Sequence, residues 1–153
     1  MTRFNEADFR KVKLYNLEER IPKIKVQDFS SINEEVEVLD TPEMKQLSQK
    51  IVDAYTSEKT TIFMMGAHLI KCGLSNYITS LLEEGIIKHI AVNDAFIIHD
   101  YEIALQGATS ESVEDNLPIG KFGMWKETGQ INDIIKTTMI ITIDLAAKEL
   151  NYE

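Results

Sequence analysis

The sequence predicts an α/β fold built on neighbouring parallel strands, and three observations carry that prediction. Two short apolar runs, residues 61–65 and 86–92, have the length and β-branched or aromatic content of buried strands. Between them lies a helical pattern with Ile78, Leu81 and Leu82 on one side, closed by Gly85. Each run gives way to small or polar residues, Gly66 after the first and Asn93 after the second. A strand, a helix and a second strand in this order should cross over right-handed into a parallel pair. In an open sheet of this kind, ligands bind beyond the carboxyl ends of the strands.

The remaining elements follow along the chain. Residues 1–40 form an N-terminal arm with two short extended pieces, KIKVQDFSS and EEVEVLD, and Pro22 at its middle. Phe4, Phe9, Leu14, Ile24, Val26 and Phe29 are too many apolar residues for a free tail, so the arm should pack on the domain or on a partner subunit. An α/β domain then spans residues 41–153. Thr41 caps its first helix, Pro42 occupies the first helical position and Glu43 meets the positive end of the dipole. Met44, Leu47, Ile51, Val52 and Tyr55 form that helix's apolar face. Residue 61 opens the first buried strand, and Ser75 is placed to cap the helix that follows. After Asn93 the spacing of Ile97, Ile98, Tyr101 and Leu105 is helical and ends at Gly107. Residues 109–112 can cap one more short helix, and Pro118, Gly120 and Gly123 mark a loop around Phe122 and Trp125. From Gln130 the spacing of Ile131, Ile134, Ile135, Met139 and Ile143 predicts a helix, although residues 137–142 have a strand's β-branched content.

Composition narrows the function classes. A chain of 153 residues with 44% hydrophobic and 27% charged residues is that of an ordinary globular domain able to bury a core. A formal net charge of -9 argues against nucleic acid, because no series of Lys and Arg could neutralise phosphates. No apolar run reaches the roughly 18 residues that span a bilayer, and the polar N-terminus is unlike a signal peptide, so a cytosolic protein without a membrane partner is expected. The single Cys72 leaves no internal disulfide and no multi-cysteine zinc site.

The polar residues at the predicted strand ends each admit two readings. Gly66, Ala67 and His68 could let backbone N–H groups approach a phosphate, or make a tight strand-to-helix turn, and Gly73 with Ser75 carries the same ambiguity. The spacing is not that of the G-x-G-x-x-G dinucleotide fingerprint. Asn93 and Asp94 could hold a ribose hydroxyl or an amide, or form an Asx turn that caps the next helix. His99 is of a residue type suited to acid–base chemistry, with Asp100 and Glu102 nearby; the alternative is a hydrogen-bonded core histidine. His99 and Asp100 are neighbours on a helix and point about 100° apart, so adjacency does not make them a pair. No His-x-x-x-His or His-x-Glu spacing suggests a metal. Trp125 could stack on a ligand ring or plug its loop, and the acidic residues 111–115 read as a solvated face.

The segment TIFMMGAHLIKCGLSNYITSLLEEGIIKHIAVNDAFIIHDYEIALQGATSE resembles the first half of the deoxyhypusine synthase-like nucleotide-binding fold. The motifs GAHxIKxGLS, HDxExALxGATSE and FGMWxETG resemble those of uncharacterised bacterial proteins, and the likeness covers residues 58–135. The ornithine cyclodeaminase domain of some arginine-degrading enzymes carries a related pattern. The resemblance implies a minimal Rossmann-like parallel sheet with flanking helices and an NAD-type dinucleotide near Gly66, Ala67, His68, Gly73, Ser75, Asn93 and Asp94. It implies His99, Asp100 and Glu102 on the side of an amine or amino-acid substrate, and a homo-oligomer or a hetero-oligomer with a longer relative. This chain carries NDAFIIHD where the synthases have a glycine pair and acidic residues. The synthases' catalytic lysine lies in a C-terminal half without counterpart here, so a non-catalytic paralogue serving as subunit or regulator is the alternative expectation.

Overall fold

The computed structural model describes the backbone of residues 8–150 and the side chains of residues 8–138. Among the expectations above, Phe4 and the side chains of Met139 and Ile143 lie outside these described residues. The chain is mixed α/β and divides into two compact units, Pro22–Ser110 and the pair of segments Met1–Ile21 with Glu111–Glu153.

The unit Pro22–Ser110 holds strand β1 (Pro22–Lys25), helix α1 (Pro42–Thr56), β2 (Ile62–Met65), α2 (His68–Lys71), α3 (Ser75–Glu83), β3 (His89–Val92), α4 (Asp94–Gln106) and β4, which begins at Ala108 and ends at Glu111. β2 and β3 pair in parallel with Ile62 opposite His89 and Met65 opposite Val92, so both strands end at one edge. β1 pairs with β4 in a second two-stranded sheet.

Local sequence accounts for most helix limits. The Thr41 hydroxyl accepts from the Met44 N–H at the start of α1, and Pro42 takes the first helical position, where a missing N–H costs nothing. Gly107 ends α4 in the left-handed conformation, at φ 67°, with its N–H on the Ile103 carbonyl. The helix expected between Ser75 and Gly85 is α3, and a short helix that was not expected, α2, precedes it across Gly73, which adopts φ 75° and whose carbonyl accepts from the Ser30 N–H at 3.0 Å. Ser75 is therefore the first residue of α3 and not its cap; the cap position is Leu74, which has no side-chain oxygen.

Two expectations about strands are corrected. β2 is not buried on both faces, since Ile62 and Met64 are 63% and 78% exposed while Phe63 and Met65 are partly covered. Four apolar residues in a row look alike in sequence whether one or both faces of the sheet are covered. Residues 109–111 do not cap a helix but continue β4, and Ser112 alone caps α5 (Val113–Asn116), its hydroxyl accepting from the Asp115 N–H. In the arm, the first three residues of KIKVQDFSS lie in β1 whereas EEVEVLD forms no regular element.

The second unit is fastened by one indole. The Tyr15 N–H donates to the Met124 carbonyl at 2.8 Å and the Lys126 N–H to the Tyr15 carbonyl at 2.9 Å, which sets Tyr15 beside Trp125. Trp125 is 4% exposed, with its ring centroid 6.4 Å from that of Tyr15 and the Arg20 guanidinium 5.7 Å above it. Its Nε1–H donates to Glu111 at 2.9 Å, and the same carboxylate accepts from the Gly123 N–H and the Asn116 amide. Glu111 is thus an internal acceptor and not part of a solvated acidic face, and Trp125 is a plug. α6 (Lys126–Leu150) follows, so residues 137–142 are helical despite their β-branched content.

Candidate functional site

The common edge of β2 and β3 brings Gly66 and Asn93 together. A Cβ built on Gly66 would stand 3.3 Å from Asn93 Nδ2, so the lack of a side chain at Gly66 is what lets the amide lie across the turn. Asn93 Oδ1 accepts from the Phe96 N–H at 3.0 Å and caps α4. Its Nδ2 has no acceptor among the described residues, so half of this amide is committed to the helix and half faces outward. Asp94 follows as the first residue of α4 and is exposed, as are Asn93 and His68. A carboxylate in the first turn satisfies the positive end of the helix dipole and repels an incoming phosphate. The edge therefore offers an amide donor and a carboxylate acceptor side by side, which suits hydroxyl groups or a neutral amide better than a phosphate at that position.

Gly73 and Ser75 lie apart from this edge. A Cβ on Gly73 would be 3.2 Å from the Asp28 carbonyl oxygen and from Phe29 Cα, which places the turn against residues 28–31. Ser75 Oγ is buried without a hydrogen bond among the described residues.

α4 carries a second group of residues further along. His99 lies six residues beyond Asn93, about 9 Å along the axis at 1.5 Å per residue, and Glu102 is on the same face one turn later. β4 sets Thr109 between them. The Thr109 hydroxyl is completely buried and donates to Glu102 Oε2 at 2.5 Å, and His99 Nδ1 stands 2.7 Å from the same oxygen and 3.7 Å from Oε2. Glu102 is 2% exposed. A hydroxyl has a single proton and an ionised carboxylate only accepts, so with Glu102 ionised the Thr109 oxygen must receive its bond from a protonated Nδ1. Neutral His99 then presents Nε2 as a bare acceptor. A proton arriving at Nε2 can be matched by a shift of the Nδ1 proton to Thr109 and of the Thr109 proton to Glu102, making a three-member relay that ends on a buried carboxylate.

The sequence reading named His99 and Glu102 but missed Thr109, because residues 109–112 looked like a helix cap. The signal was there in the small buried triplet Ala108, Thr109 and Ser110, which directly follows the helix-ending Gly107. Ser110 adopts φ 65°, a conformation that costs a non-glycine residue on the order of 1–2 kcal/mol, and its Oγ is buried without a partner among the described residues. Asp100 takes no part in the relay. Its residue is largely exposed, but partial burial of the carboxyl raises its pKa above the usual 3.8.

Among the described residues, no group of three or more His, Cys, Asp or Glu is arranged to hold a metal, and no helix is long and apolar enough to cross a membrane. No protein-family model, curated protein or solved structure matches the chain.

Proposed function

We propose that the chain binds an NAD-type nucleotide at the common edge of β2 and β3, in a minimal Rossmann-like arrangement, and that His99 takes or gives a proton on a bound amine or amino-acid substrate. The observation that carries the reading is the close approach of Gly66 and Asn93, which leaves the Asn93 amide donor and the Asp94 carboxylate at adjoining positions beside a turn without side-chain bulk. These residues fit the ribose and amide portions of such a nucleotide; Asp94 disfavours the pyrophosphate at the start of α4. The resemblance in residues 58–135 to the deoxyhypusine synthase-like fold supports the same ligand class. The cytosol, where thiols stay reduced, suits the exposed free thiol of Cys72.

Calorimetric titration with NAD tests the binding. The wild type should give measurable heat, Asn93→Ala and Asp94→Ala should each weaken binding about tenfold, equivalent to about 1.4 kcal/mol, and adenosine should compete where pyrophosphate does not. Heat absent from the wild type, or unchanged in both variants, would remove the nucleotide from the proposal.

A further inference from the structure

One side of α3 is a polar stripe. Asn76, Thr79, Ser80 and Glu83 recur at i, i+3, i+4 and i+7 and fall on one arc of about 100°, opposite Ile78, Leu81 and Leu82. Such a stripe ordinarily faces open water, but here the segment 29–33 stands against it, and the two walls enclose a cleft of about 390 Å³. That volume lies within the roughly 300–1,000 Å³ of small-molecule sites. The walls are tied to each other. The Ser30 N–H donates to the Gly73 carbonyl, Asn76 Nδ2 to the Ser30 carbonyl and the Tyr77 hydroxyl to the Ser31 carbonyl, each at 3.0 Å. The Glu34 N–H closes a turn onto the Ser31 carbonyl at 3.1 Å, with Ile32 and Asn33 at its centre. A cleft held in this way loses little conformational freedom when a ligand enters.

We infer that this cleft binds a neutral pyranose sugar. The bonds that tie the walls leave the lining's own polar groups uncommitted: among the described residues, the Asn33 amide, Asn76 Oδ1, the Thr79 and Ser80 hydroxyls and the Glu83 carboxylate make no hydrogen bond. Sugar hydroxyls both donate and accept, as these amides and hydroxyls do, and a carboxylate accepts from two neighbouring hydroxyls at once. A pyranose also has a C–H face that needs apolar cover, which the half-buried Phe29 and the 51% exposed Ile32 supply. Glu83 is the only charged residue of the lining, in a chain of net charge -9, so phosphates and carboxylates are repelled. A small ammonium ion would satisfy Glu83 and leave the amides and the apolar wall unused. The cleft lies wholly within the unit Pro22–Ser110 and shares no residue with the edge of β2 and β3, so this inference does not depend on the nucleotide proposed above.

Titration of the full chain with glucose, galactose, mannose and N-acetylglucosamine, followed by NMR of the ¹⁵N-labelled Asn33 and Asn76 side-chain amides, provides the test. At least one of these sugars should shift both amides saturably, with a Kd of roughly 1 mM. Glu83→Gln and Asn33→Ala, read at Asn76, should each weaken that sugar about tenfold while the helical circular dichroism signal stays unchanged. Inorganic phosphate should leave both amides in place, and methylammonium should move them less than the sugar does. No saturable shift with any of the sugars, undiminished affinity in both folded variants, a saturable response to phosphate, or a response to methylammonium larger than to every sugar would overturn the inference.

Discussion

Thr109 has one proton to give, and which neighbour receives it decides what His99 can do. In the wild type, ¹⁵N shifts of His99 at neutral pH should report the tautomer protonated at Nδ1, and a proton on Nε2 instead would contradict the relay. Thr109→Val removes a hydrogen bond from a buried carboxylate, for a loss on the order of 1–3 kcal/mol in denaturant unfolding. Thr109→Ser, which keeps the hydroxyl, should lose clearly less and retain the tautomer. Asp100 behaves differently, since its charge is disfavoured by the fold. A carboxyl whose folded pKa is raised contributes stability at low pH that is lost as pH climbs through that pKa. Asp100→Asn should therefore raise Tm at pH 7, with the gain shrinking as pH falls toward the ordinary value of 3.8. An equal gain at pH 3 and pH 7 would contradict burial as the cause.

Among the elements, the turn between α2 and α3 shows how backbone geometry and crowding add. Gly73 and Gly85 have similar positive φ values, 75° and 69°, but a Cβ on Gly85 meets nothing within 4 Å while one on Gly73 meets the backbone of residues 28 and 29 at 3.2 Å. Gly85→Ala should cost only the left-handed conformation, about 1–2 kcal/mol. Gly73→Ala should cost more, because the segment carrying Phe29 must move as well; equal losses in thermal unfolding would show that the approach is not tight. Elements of this kind were largely legible in the sequence. Thr41 with Pro42, Asn93, and the glycines at positions 85 and 107 act through local chemistry, and they stand where local reasoning put them. The parallel pairing of β2 with β3 was legible because a helical segment separates two runs of strand length. What local pattern could not supply was the short helix α2 ahead of Gly73, whose turn lies against residues 28 and 29, and the strand at residues 108–111, which pairs with β1. The site divided in the same way. Asn93 and Glu102 were visible as polar residues in helical register, whereas the role of Thr109 depends on a fold-back that brings β4 to α4.

Over the whole molecule, one unit is continuous in sequence and the other is not. An amphipathic helix without a buried residue and a strand with Ile62 and Met64 outward belong to the continuous unit, so its apolar side chains are incompletely satisfied by its own fold. The second unit draws on both flanks of the chain, and Trp125, the sole tryptophan, reports on it alone by fluorescence. Leu17 and its acceptor Glu127 are 110 residues apart at a bond length of 2.7 Å. A ribosome adding roughly 5–20 residues per second needs about 5–20 s to cross that interval. Throughout that time the nascent Leu17, one of the most deeply buried side chains of the finished protein, lacks the Glu127 carboxylate that accepts its N–H. The continuous unit emerges completely before the discontinuous one can begin to assemble, so vectorial synthesis imposes an order of folding that refolding from denaturant does not share.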